Sequence, residues 1–182
     1  VLPGARCHHC GGELVQESVL ELGHIFRLGD YYSRQLKLAF MDAKGRRFHP
    51  VMGSYGMGLG RLMAAVVEAN HDRRGIHWPV ALAPYRYFLM AIGRSAKLAR
   101  LAMQIHDEIG DEVLFDDRRA SISTKFKDAD LIGVPYKIIL SHRTADRGQV
   151  ELLSRDFPSP RRVPINGICR ALEDMEQEAD GT

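Results

Sequence analysis

Met52-Gly53-Ser54-Tyr55-Gly56-Met57-Gly58-Leu59-Gly60-Arg61, followed by Leu62-Met63-Ala64-Ala65-Val66-Val67-Glu68, is the stretch that decides how the chain is read. Four glycines fall within eight residues, and apolar residues then recur at Leu59, Leu62, Met63, Val66 and Val67, which is helical spacing. Tyr55–Arg61 is expected as a strand, with the helix running from about Leu59 to Ala69. Glycine lets another group come close to the backbone. Gly56, Gly58 and Gly60 alternate, so an extended strand would carry them on one bare side where a flat ligand can lie. Arg61, in the first turn of the helix, would meet an anion together with the free backbone N–H groups of the helix start. The plain alternative is a glycine-rich turn that packs a strand tightly on a helix. Two common phosphate loops are excluded. No Lys-Ser or Lys-Thr follows the last glycine, and the Gly-x-Gly-x-x-Gly order is absent.

Working outward, the stretch resembles the third signature of class II aminoacyl-tRNA synthetases, a glycine-rich strand leading to an arginine at a helix start. The wider match is to bacterial prolyl-tRNA synthetases. It rests on Gly23-His24-Ile25-Phe26-Arg27-Leu28-Gly29, Asn70-His71-Asp72-Arg73-Arg74-Gly75-Ile76-His77-Trp78-Pro79, Asp116-Asp117-Arg118 and Asp130-Leu131-Ile132-Gly133-Val134-Pro135, in order and at similar spacing. The resemblance implies a catalytic Arg61 that binds the ATP triphosphate, with Gly56, Gly58 and Gly60 making room for the nucleotide. It implies that His24, Phe26, Gly53 and Ser54 border the substrate proline, and that Asp117, Arg118, Lys125 and Lys127 face the anticodon loop of tRNA-Pro. The family usually has cysteine where Ser54 stands; the pocket should survive with altered proline affinity. Ile122-Ser123 replaces a typical Pro-Gly, so the loop there is expected to take another shape.

Composition is that of an ordinary globular protein, with 45% hydrophobic and 26% charged residues and a net charge of +2 over 182 residues. There is no global basic signature of nucleic-acid binding, which leaves room only for a local patch. No apolar run has the length of a membrane span. Three cysteines argue against a disulfide scaffold and fit a reducing cytoplasm. The start, Val1-Leu2-Pro3-Gly4, carries neither an initiator methionine nor a signal peptide, so the chain reads as a piece of a longer protein. Cys7-His8-His9-Cys10-Gly11-Gly12 looks like half a zinc knuckle. His8 and His9 are badly placed to complete it and Cys169 is distant, so a plain turn is favoured over a metal site.

The remaining chain gives an α/β pattern. Val19–Leu28 alternates as a strand, with Leu20, Leu22, His24 and Phe26 on one face and Glu21, Ile25 and Arg27 on the other. Lys37–Met41 and Arg46–Pro50 flank Asp42-Ala43-Lys44-Gly45 as a hairpin. Asn70–Pro79 reads as a polar connector. Beyond it come a buried strand at Tyr85–Ile92 and a Ser95-capped helix whose stripe is Leu98, Leu101, Ala102, Ile105 and Ile109, ended by Gly110. A strand follows at Glu112–Phe115, a helix at Lys125–Ile132, strands at Tyr136–Leu140 and Gln149–Leu153, and a helix at Ile165–Glu178. The expected fold is therefore the C-terminal part of an antiparallel class II catalytic sheet (1–80) plus an α/β anticodon-binding domain with a mixed, largely parallel sheet (81–182).

The expected function is a share in a cytoplasmic proline-tRNA ligase that uses ATP, with Mg2+ in the full enzyme, and acts as a homodimer at full length. The alternative is a non-catalytic tRNA- or partner-binding module derived from a synthetase. The first two class II signatures lie upstream in the family, so the isolated chain is expected to be inactive. Without the resemblance, Asp-Asp-Arg after a strand reads as a capped turn with an ion pair.

Overall fold

The structure, a computed structural model, describes residues 4–155 and 159–180. Val1, Leu2 and Pro3, on which the expectation of an internal start partly rests, lie outside the described residues. The chain divides into two units, residues 1–65 and 66–182.

The first unit contains β1 (Gly23–Gly29), α1 (Tyr31–Gln35), β2 (Phe40–Met41), β3 (Arg47–Phe48) and β4 (Met52–Met57), and the start of α2 (Leu59–Ala69). Strands β1 and β4 pair antiparallel, with His24 opposite Gly56, Ile25 opposite Tyr55, Phe26 opposite Ser54 and Arg27 opposite Gly53. The expected hairpin forms at β2–β3. Asp42 caps its turn by accepting hydrogen bonds from the N–H groups of Lys44 (2.9 Å) and Arg46 (2.8 Å), while Gly45 takes φ +74°.

Two expectations are corrected here. The first strand begins at Gly23 rather than Val19. Met57 is its last partner, and Gly58 then turns the opposing strand into α2, so Val19–Leu22 run past the end of the strand they would pair with. The three alternating glycines do not share one strand face. Gly56 lies in β4, Gly58 in the junction and Gly60 in the first turn of α2, because the helical spacing takes over at Leu59.

The second unit contains β5 (His71–Asp72), β6 (Gly75–Ile76), β7 (Tyr87–Ile92), α3 (Ala96–Ile109), β8 (Val113–Asp116), α4 (Ile122–Ile132), β9 (Tyr136–Ser141), α5 (His142–Ala145), β10 (Gln149–Ser154), β11 (Arg161–Pro164) and α6 (Ile168–Asp180). Its main sheet has the order β11-β10-β9-β7-β8. β7 is parallel to both β8 and β9, whereas β9–β10 and β10–β11 are antiparallel. Tyr87, Leu89, Tyr136, Ile138, Leu140, Val150 and Leu152 form one core with the Leu98-Ala102-Ile105 stripe of α3 and with Ile168 and Leu172 of α6. On the opposite face Phe88, Met90 and Ile139 pack against Ala129 of α4 and Val134. α3 is capped as expected, with the Ser95 hydroxyl accepting from the Leu98 N–H at 3.1 Å and Gly110 closing the helix at φ +82°. α4 starts three residues earlier than the sequence reading, at Ile122, because the Ser121 hydroxyl accepts from the Thr124 N–H at 3.1 Å. Ile122-Ser123, expected as a reshaped loop, is therefore helix. The Asn70–Pro79 connector holds the small β5–β6 hairpin.

Candidate functional site

In the first unit the β1–β4 register decides which candidates meet. Directly paired residues of an antiparallel ladder share a face. His24, Phe26, Ser54 and Gly56 thus lie together, and Gly53 falls on the other face beside Arg27. The His24 and Phe26 rings stack at 4.2 Å with a 5° tilt, forming a flat apolar wall with one imidazole edge. Nothing approaches within 4 Å of a Cβ built on Gly56 or on Gly60, so both glycines leave open space. Arg61 is half exposed; its Nη1 donates to the Glu21 carbonyl at 3.2 Å and lies 3.5 Å from the Glu21 carboxylate. The same carboxylate is 3.5 Å from His24 Nδ1. Glu21 therefore joins two candidate residues. Strand alternation would put it on the face away from His24, but Glu21 precedes the strand, where alternation no longer applies. A loosely held, exposed guanidinium beside bare glycines can accept a polyphosphate, and the open backbone around Gly56 fits a flat base or sugar.

In the second unit a cleft of about 870 Å³ opens at the carboxyl ends of β7 and β8, beside the point where the chain reverses its direction of building the sheet. Its charged lining is Arg94, Asp116, Asp117, Arg118, Arg119 and Lys125, four basic against two acidic. Asp116 ends β8 with its side chain only 2% exposed. It accepts from the Arg118 backbone N–H (3.0 Å), Nε (3.0 Å) and Nη2 (2.8 Å). Arg118 Nη2 also donates to Asp128 of α4 at 2.7 Å. This guanidinium holds the Asp116 carboxyl below the usual carboxylate range, against the opposing effect of burial. Lys125 is buried; its Nζ donates to the Asp116 carbonyl at 2.7 Å and sits 3.7 Å from the Asp116 carboxylate.

The four candidates of this region thus divide. Asp117 and Lys127 are exposed, Arg118 is more than half exposed, and Lys125 is an internal strut whose charge reaches the cleft without its ammonium being free. The capped turn with an ion pair is present, and it is built on Asp116, which the sequence reading did not nominate. A signal was available: the carboxylate closes a buried strand with an arginine two residues on.

Cys7 and Cys10 lie in a tight turn closed by the Cys7 N–H to the Gly12 carbonyl (2.8 Å) and the Gly11 N–H to the Cys7 carbonyl (2.8 Å). The Cys7 thiol is pulled below its ordinary pKa, chiefly by the backbone N–H of Cys10 and then that of His9. Among the described residues no group of three or more His, Cys, Asp or Glu side chains gathers to hold a metal. Nor is any helix among them long and apolar enough to cross a membrane.

Residues 88–175 match the family described as anticodon binding domain, and residues 13–70 match the tRNA synthetase class II core domain (G, H, P, S and T). Proline-tRNA ligase of Halothermothrix orenii is 42% identical over 97% of this chain, that of Dehalococcoides mccartyi 39% over 97%, and that of Treponema pallidum 46% over 81%. This chain belongs to the prolyl-tRNA synthetase family. It spans about a third of the first two relatives, 32% of each, and 24% of the third.

Two solved prolyl-tRNA synthetases share the fold. That of Cryptosporidium parvum, complexed with halofuginone and AMPPNP, gives a TM-score of 0.71 at 20% identity over 86% of this chain and 34% of the other. That of Giardia lamblia, in complex with prolyl-adenylate, gives 0.62 at 23% identity over 81% and 32%. The core match ends at residue 70 and the anticodon-binding match begins at residue 88, so residues 71–87 lie outside both.

Proposed function

We propose that this chain is the part of a prolyl-tRNA synthetase that lines the proline and ATP pocket and carries the domain reading tRNA-Pro. The catalytic portion extends through about residue 80 and the anticodon-binding domain covers residues 81–182. The observation that carries the reading is the cation-rich cleft around Asp116, Arg118 and Lys125 at the ends of two parallel strands. RNA bases are read when splayed from a loop, and an anticodon is such a loop. Arg118, Lys127 and Asp117 are exposed enough to touch it. Lys125 acts by holding Asp116, and through it Arg118, in place.

In the full-length protein, a cytoplasmic homodimer, the proline carboxylate attacks the α-phosphate of ATP and pyrophosphate leaves. A ribose hydroxyl of the terminal adenosine of tRNA-Pro then attacks the acyl carbon and AMP leaves. His24 and Phe26 present the stacked wall for the proline ring and Ser54 borders it on the paired strand, whereas Gly53 lies on the opposite face and adds only backbone close to it. Arg61 exchanges its weak contact with Glu21 for the triphosphate, beside the open backbone of Gly56 and Gly60, while Gly58 lies against the Arg61 Cβ at the strand–helix junction. Mg2+ would accompany ATP in the full-length protein; the described residues of this chain gather no side-chain set to hold it.

Arg61→Ala in the full-length protein is expected to lower proline-dependent ATP–pyrophosphate exchange by roughly 10²-fold or more, the scale of losing one fixed charge stabiliser. An unchanged exchange rate would refute the assignment. The 182-residue chain alone is expected to show no exchange. If it binds tRNA and the full-length protein also shows none, the non-catalytic binding module is the correct reading.

A further inference from the structure

The residues between α2 and β7 read as a connector, yet within the second unit they grip the carboxyl end of α4. Arg155, whose side chain is 3% exposed, donates from Nη2 to Asp72 Oδ1 at 2.9 Å and from Nη1 to the Ile76 carbonyl. Asp72 also accepts from the N–H groups of Arg74 (2.7 Å) and Gly75 (3.2 Å). The Trp78 indole N–H donates to the Ile132 carbonyl at 3.0 Å, and the Trp78 backbone N–H reaches the Gly133 carbonyl at 3.4 Å. Carbonyls at a helix end need such donors. The approach is close enough to demand glycine on both sides. Gly75 has φ +145°, and a Cβ there would lie 2.5 Å from the Asp130 carbonyl oxygen; Gly133 has φ +85°, and a Cβ there would strike Ile76.

α4 needs this support. It has 11 residues, marginal for a helix on its own, and its fully buried positions are only Lys125 and Ala129. One to two turns nearer its amino end it holds the other end of the arrangement, where Asp128 and Lys125 meet Arg118 and Asp116. The β5–β6 hairpin, with two-residue strands, is equally unable to stand alone.

We propose that Asp72, Arg155 and Trp78 are positioning residues for RNA binding: by clamping the carboxyl end of α4 they hold Asp128 and Lys125, and so Arg118, in the orientation the cleft presents. This rests on the reading of the cleft as an RNA site. The test uses the 182-residue chain with Asp72→Asn, Arg155→Met and both together, with Arg155→Lys as a charge-preserving control. Hydrogen exchange is followed at residues 122–132 and, as an internal reference, at residues 136–140. In parallel, affinity is measured for the anticodon stem-loop of tRNA-Pro. Arg155→Met should speed exchange over 122–132 by about tenfold, the equivalent of ~1.4 kcal/mol, without changing 136–140. It should weaken RNA binding several-fold, and Arg155→Lys should recover part of both. The double variant should cost less than the sum of the singles, since the two side chains act as one clamp. Unchanged protection over 122–132 overturns the clamp. Altered protection with unchanged RNA affinity overturns the positioning role. A native chain that binds no stem-loop refutes the RNA reading, and the exchange data still decide the clamp.

Discussion

Asp116 is nearly enclosed, accepts three hydrogen bonds from one arginine and faces a buried lysine ammonium. Removing it with Asp116→Ala leaves Lys125 buried without its carboxylate, and a loss of about 3 kcal/mol in urea unfolding is expected, the usual scale for breaking a buried pair. Arg118→Ala should cost less than Asp116→Ala, since its own side chain is 56% exposed and Asp116 keeps the residue-118 backbone N–H and Lys125, and it should bring a clear loss of RNA affinity. The Asp116 carboxyl is depressed in the folded state, chiefly by the Arg118 side chain. Its contribution is therefore complete above the unfolded value of about 3.9 and is lost as pH falls below that, through the folded value. Unfolding midpoints followed from pH 6 downward should show this acid-sensitive component in the native chain and lack it in Asp116→Asn. At this scale the sequence is legible where a motif is local. The exposure of Arg118 and Lys127 can be read from their polar neighbourhood, although of the two only Arg118 lines the cleft. The burial of Asp116 and Lys125 follows from how α4 leans on β8, which no spacing rule encodes.

Elements were legible where capping chemistry and period agree. Ser95, the Leu98-Ala102-Ile105 stripe and Gly110 define α3 almost to the residue. Ser95→Ala should cost about 1 kcal/mol of stability. Where two signals compete, the boundary shifts. Alternating glycines suggested strand through Gly60, but Leu59, Leu62, Met63 and Val66 start a helix first. β11 was missed because Val163 is its only buried residue, so it shows no alternation. α5 was missed because it is four residues long, held by the reciprocal Ser141–Thr144 capping box. Gly133 closes α4 at φ +85°, and an added Cβ would clash with the Ile76 carbonyl oxygen. Gly133→Ala combines a left-handed strain with a backbone clash and should cost at least ~2 kcal/mol, read as a lower urea midpoint.

On the scale of the whole chain, the two units are built differently. Among the described residues up to 65 only Ser33 is buried, and large apolar side chains such as Ile25, Tyr55, Met57 and Leu59 are 69–85% exposed. The second unit has a core on both faces of a five-stranded sheet. A shortened chain of residues 66–182 should therefore unfold cooperatively on its own, and residues 1–65 should not. Starting instead at residue 81 removes Asp72 and Trp78 and should lower the thermal midpoint relative to 66–182; equal midpoints would mean that the connector adds nothing. The sequence conveyed this division only partly. The periodic stretches after residue 85 announce their core, whereas the first unit was legible through glycines and one hairpin turn rather than through burial.

The most direct test of the central claim is binding of this chain to tRNA-Pro and to an unrelated tRNA, at two salt concentrations, with native protein and with Arg118→Ala. The account expects salt-sensitive binding, as phosphate contacts require, a preference for tRNA-Pro, and loss of that preference in Arg118→Ala. Equal affinity for both RNAs, untouched by the substitution, would contradict it.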